Sequence, residues 1–207
     1  YDFAIVFDEA KTAEQQASFQ KDTSSILSES VFVRTDNISV DSKEGIKSVN
    51  VIATGDPNIA NFINLHDDGG PLAYPTDGSV AISEKLAKIT GVSVGDTIRV
   101  QTDEGRETDL PVSAIFENYV YHYILMTPNT YQTVYGEECA FEAALANSAS
   151  ADTHSVAASL LDHYNAANVT VTSDIKDRVN NMMTSLNLVI FVIILCAGGL
   201  AFVVLFN

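Results

Sequence analysis

Apolar side chains at Phe3, Ile5 and Phe7 recur at the two-residue spacing of a half-buried strand, so the chain opens on β structure over Tyr1 to Phe7. Thr12, followed three residues later by Gln15, has the form of a capping box and predicts a helix running to about Leu27. Strands are predicted from Val31 to Val40 and from Ile46 to Thr54, the second alternating through Val49, Val51 and Ala53. Residues 58–65, "NIANFINL", read as a short helix, and "HDDGGPLAYPTDG" behind it reads as a loop where one subdomain gives way to another. Beyond that loop the pattern predicts a strand, a short helix ended near Gly91, and two strands paired across "DEGR". "PNTYQTVYG" reads as a helix, "FEAALANS" as a strand, "SADTHSVAASLLDHY" as a helix with Val156, Leu160 and Leu161 on one face, and "NVTVTS" as a returning strand. The mixture predicts an α+β fold around a mixed sheet.

The pattern changes from Leu186 onward. Between Leu186 and Phe206 no residue is charged, and a helix of roughly 20 residues at about 1.5 Å per residue spans a ~30 Å hydrocarbon core. A core helix of a soluble protein normally keeps a polar stripe, and the preceding residues offer little to cover this one all round. The run therefore reads as a transmembrane helix, residues 186–206. In front of it, Asp174 can cap a helix beginning at Ile175, with Asp177 adding negative charge to the first turn. Ile175, Val179, Met182, Met183 and Leu186 form one apolar stripe at helical spacing, and no Gly or Pro interrupts residues 174–195. Residues 174–185 are expected to be a stalk helix entering the membrane without a hinge; an amphipathic helix packed on the domain fits the same stripe. Ala197, Gly198, Gly199 and Ala201 would let a second transmembrane helix approach closely.

Composition narrows the function. The 207 residues carry a formal net charge of −16, which repels an anionic polymer over most of the surface and excludes nucleic acid as a partner. The two cysteines, Cys139 in the polar part and Cys196 in the apolar run, cannot build a disulfide framework and read as small apolar fillers. The chain starts on a strand without an initiator Met or signal peptide, and is expected to be a piece of a longer protein continuing on both sides.

"VAISEKLAKITGVSVGDTIRV", then "VSAIFENYVYHYILMTPNTYQTVYG", then "AGGLAFVVLFN" together resemble the extracytoplasmic domain and following transmembrane helix of FtsX-like ABC-transporter permeases of the MacB and LolC types. The resemblance is strongest over residues 80–117 and from Leu186 on, and "ENYVYHYILM" looks most like large Gram-positive permeases. It implies a membrane-proximal α+β lobe from residues 1–64 and 136–173 and a β-rich outer lobe from residues 65–135. It also implies a domain outside the cytoplasm that relays motion from a cytoplasmic ABC ATPase to a substrate or partner, with ATP held by that separate subunit and a second permease copy as a further partner. No Walker A pattern occurs, because Gly69, Gly70, Gly91 and Gly95 lack the following Lys and Ser/Thr.

Residues able to carry chemistry are few. No H-E-x-x-H, no G-x-S-x-G and no zinc-spaced Cys pair is present, and the reading assigns no catalytic, metal or cofactor residue. His66, Asp67 and Asp68 could contribute to a metal site, but a solvated turn is the favoured reading. His154 and His163 lie nine apart on one helix, too far along the axis to share an ion. Tyr119, Tyr121 and Tyr123 would share one face of an extended strand, either as a patch for a partner or substrate or as cover for the core where two lobes meet. Beside the permease reading stands a singly anchored extracellular domain that binds a ligand or cell-wall component without any ATPase.

Overall fold

The computed structural model describes residues 1–43, 45–118 and 121–206. Two compact units result, one over Tyr1–Thr170 and one over Val171–Asn207.

The first unit is α+β. Among the described residues, nine strands form one mixed sheet in the order β11-β1-β10-β2-β3-β9-β6-β8-β7. The strands are β1 (Phe3–Phe7), β2 (Leu27–Ser42), β3 (Gly45–Ala53), β6 (Val80–Ser83), β7 (Thr97–Gln101), β8 (Glu107–Phe116), β9 (Tyr123–Met126), β10 (Ala143–Ser148) and β11 (Ala166–Val171). A separate two-stranded ribbon pairs β4 (His66–Asp67) with β5 (Gly70–Pro71). The strand β2 decides the architecture. Its first half pairs antiparallel with β10, its second half pairs with β3, and its residues Ser39 and Val40 also pair with Gln101 and Val100 of β7. That last pairing closes β2-β3-β9-β6-β8-β7 into a six-stranded barrel, which removes the free edges that β2 and β7 would otherwise present.

Alternation fills the barrel. Ile38 and Val40 of β2, Val49 and Val51 of β3, and Ile124 and Met126 of β9 all belong to its buried interior. The ends are plugged by Leu86 of α2 (Glu84–Thr90) and by Tyr131 and Val134 of α3 (Pro128–Tyr135), all fully buried. Gly91 closes α2 in the left-handed conformation, φ 78, as its place after "KIT" requires. In the open half, Phe7 of β1 and Phe32 of β2 stack at 5.9 Å, and Phe19 of α1 (Ala13–Asp22) meets both edge-on. The helix α4 (Thr153–His163) buries Val156, Ala157 and Leu160.

Several elements differ in extent from the sequence reading. The capping box at Thr12 forms, but α1 stops at Asp22, with Thr23 as its C-cap and the Thr23 hydroxyl and N–H both bonded to Phe19 O, and Leu27 is already the first residue of β2. "NIANFINL" yields only a 3-10 helix, Pro57–Asn61, with Asp56 accepting from Asn58 N at 2.9 Å. The second unit is the helix α5, Thr172–Phe206, which begins three residues before Ile175 and runs for 35 residues without interruption. Its stretch Thr172–Gly198 is long and apolar enough to cross a membrane, and none of its most apolar window is buried.

Candidate binding groove

The outer face of the barrel carries a second apolar layer, and a backbone irregularity creates it. The strands β6 and β8 run parallel with Val80 opposite Val112 but Ala81 opposite Ala114, so Ser113 is one residue too many. Its hydroxyl donates to Val80 O at 3.1 Å. Before the bulge, Leu110 and Val112 point into the barrel; after it, Ala114 and Phe116 belong to the outer cluster with Ala81, Leu125 and Leu65. Opposite phase on β9 brings Tyr123 and Leu125 to the same outer face while Ile124 and Met126 fill the interior.

Residues 57–74 wrap this layer. Phe62 and Ile59 pack on Val31, Val33 and Leu145 of the open half, while Ile63 and Tyr74 touch both apolar clusters. The Tyr74 hydroxyl lies 2.9 Å from Met126 O and 3.3 Å from Ile52 O, which fixes the wrap to the β3–β9 pair. Burial pushes the Tyr74 phenol well above its ordinary pKa. The wrap leaves a cavity of about 280 Å³ between Ile52, Phe62, Phe116, Tyr123 and Leu125, with Asn64, Glu117 and Asn118 among its polar lining. Its size and apolar character suit a side chain or short acyl group.

Glu117 follows the last residue of β8 at the groove. Its N–H donates to His66 O at 2.9 Å, and its carboxylate lies 3.3 Å from His66 Nε2. His66 Nδ1 is 3.1 Å from Asn64 O, so one ring nitrogen has a neighbour within the wrap and the other faces Glu117 beyond β8. Among the described residues no group of three His, Cys, Asp or Glu side chains could hold a metal ion.

The expected tyrosine strand takes a different form. Tyr119 lies outside the described residues. β9 starts only at Tyr123, and Tyr121 stands at φ 61, the left-handed region, so Tyr121 and Tyr123 do not share the face of one extended strand. Tyr121 is 66% exposed, whereas Tyr123 is half-buried, its N–H donating to Ser83 Oγ at 3.1 Å and its phenol pKa raised by burial. Of the stalk residues, Ile175, Met182, Met183 and Leu186 are exposed on α5. Val179, Gly199 and Ala201 belong to α5 by backbone, their side chains lying outside the described set. Ala197 and Gly198 are exposed, and a Cβ at Gly198 would meet nothing within 4 Å. Cys139 is buried, its thiol pushed up to about 11 by burial, and Cys196 is exposed on α5. Phe116, Leu125, Ile52 and Ile63 were not legible as groove residues, because each reads in sequence as ordinary strand or helix core.

A barrel joined through one strand to an open α+β sheet, followed by a helix of membrane-spanning length, is the class of protein these features define. No family model matches the chain, and no curated protein matches it. Among solved structures, the chain is similar to the extracellular domain of the noncanonic ABC-type transporter YknZ from Gram-positive bacteria, at 15% identity and a TM-score of 0.49, over 82% of this chain and 98% of that one. It is similar also to the periplasmic region of MacB from Actinobacillus actinomycetemcomitans, at 11% identity and a TM-score of 0.48, over 87% and 93% of the two chains. A third similar structure is a putative lipoprotein from Bacillus anthracis, at 10% identity and a TM-score of 0.40, over 82% and 96%.

Proposed function

We propose that this chain is the extracytoplasmic domain, with the adjoining transmembrane helix, of an FtsX-like ABC-transporter permease in the cell membrane of a Gram-positive bacterium. On this reading the domain relays motion between a cytoplasmic ABC ATPase and a substrate or partner outside the cell. ATP belongs to the separate ATPase subunit, a second permease copy completes the assembly, and no catalytic role falls to this chain. The observation that carries the reading is α5: one helix of 35 residues, polar in its first turns and apolar thereafter, following β11 with no loop residue between them. A helix without Gly or Pro through residues 174–195 resists bending, which is what a push rod requires and a simple anchor does not.

The test is to break that helix. Replacing Asn180 with Gly and Asn181 with Pro introduces a kink, because Pro removes one backbone hydrogen bond and clashes with the preceding turn. In the permease reconstituted with its ATPase, stimulation of ATP hydrolysis by substrate is expected to be lost while the protein still inserts and folds. Unchanged coupling in the kinked protein would overturn the relay. Failure of any ABC ATPase to copurify with the full permease would leave the singly anchored binding domain instead.

A further inference from the structure

The apolar groove has a neighbour. Phe116 and Glu117 also line a second cavity of about 480 Å³, whose lining includes the acidic residues Asp67, Asp68, Glu84 and Glu117. The two cavities share Phe116 and Glu117, so an apolar compartment adjoins an acidic one, and no Lys or Arg lines either among the described residues. Part of the negative charge is already engaged: Glu84 is 2.6 Å from Lys88 Nζ, Asp67 Oδ1 accepts Gly69 N–H at 2.8 Å, and Glu117 faces His66. Among the described residues, Asp68 and Glu117 are the acidic groups of this lining with no ion pair to a Lys or Arg, Glu117 facing only His66.

We propose that this joined groove binds a basic amphipathic peptide, seating one apolar side chain between Phe116, Tyr123 and Leu125 and a neighbouring Lys or Arg against Glu117 and Asp68. Charge complementarity selects the occupant. The carboxylates repel phosphate-bearing lipids and acidic peptides, while a domain of a chain with net charge −16 draws cations toward it. The side-chain amide of Asn64, in the lining of the apolar compartment, supplies both a donor and an acceptor of the kind a peptide backbone pairs with. The inference does not depend on coupling to an ATPase and would hold equally for an anchored binding domain.

The chain contains no Trp, so a Trp-bearing peptide can be watched without background. The full chain in phosphatidylcholine nanodiscs is titrated with acetyl-Leu-Trp-Leu-Lys-Lys-amide, with acetyl-Leu-Trp-Leu-Glu-Glu-amide and empty nanodiscs as controls. A blue shift of the Trp emission is expected for the basic peptide, with at least tenfold weaker binding of the acidic one. Glu117→Gln combined with Asp68→Asn is expected to weaken the basic peptide about tenfold and to flatten its salt dependence. Tyr123→Ala is expected to remove the blue shift, with circular dichroism confirming that each variant folds. Equal binding of both peptides, an unaltered affinity in the carboxylate variant, or an equal signal from empty nanodiscs would each overturn the proposal, the last assigning the peptide to the bilayer.

Discussion

Replacing Leu195 with Lys places a charge near the middle of the apolar half of α5. Between Leu188 and Phe206 the sequence holds 14 Leu, Ile, Val or Phe residues. At about −0.3 to −0.6 kcal/mol each, they favour the bilayer by roughly 4 to 8 kcal/mol. Exchanging one central Leu for Lys, from about −0.5 to about +3 kcal/mol, removes roughly 3 to 4 kcal/mol. A single substitution therefore leaves insertion favourable. Combining Leu195→Lys with Leu200→Lys removes roughly 6 to 8 kcal/mol, enough to cancel the whole preference. The assay is translation of the full chain with microsomes, followed by alkaline carbonate extraction. Wild type and Leu195→Lys should stay in the membrane pellet, and most of the double variant should move to the supernatant. A control, Ile46→Lys at a position already 68% exposed on β3, should change nothing. A double variant that stays integral, or a wild type that washes out, would refute the reasoning.

Leu86 plugs the barrel and is fully buried, so Leu86→Ala should cost about 2 to 5 kcal/mol in urea denaturation followed by near-ultraviolet circular dichroism. Gly136 ends α3 at φ 79, its N–H bonding Gln132 O at 2.8 Å, and an added Cβ would run into the Arg106 guanidinium. Gly136→Ala should therefore lose about 1 kcal/mol in the same measurement. Asp77 accepts hydrogen bonds from Thr127 and Asn129, which hold its carboxyl below the usual carboxylate range. A depressed folded-state pKa means that the unfolded chain takes up the proton first. The contribution is complete above the unfolded value of about 4 and fades as pH falls through the folded one. A melting temperature that drops less steeply below about pH 4 in Asp77→Asn than in wild type would bear this out, and parallel curves would refute it.

The sequence by itself determined what neighbouring residues decide. Thr12 and Gln15 announced their capping box, Gly91 its helix end, and the uncharged run after Leu186 its helix, because each depends on contacts within one or two turns of chain. It also carried the alternation that fills the barrel, since Val49, Val51 and Ala53 need only face one way. Partner choice beyond the β7–β8 hairpin across "DEGR" was out of its reach. That β3 lies parallel to β9 with Asn50 opposite Tyr123, or that β7 closes on β2, depends on pairing between segments far apart in the chain, and alternation fixes a face without naming a neighbour. The groove was hidden for a sharper reason. Leu110, Val112, Ala114 and Phe116 keep a perfect two-residue period, so nothing in the pattern marks the extra residue at Ser113. Only the parallel pairing with β6 forces the bulge, turns Phe116 outward, and sets an apolar wall beside Glu117.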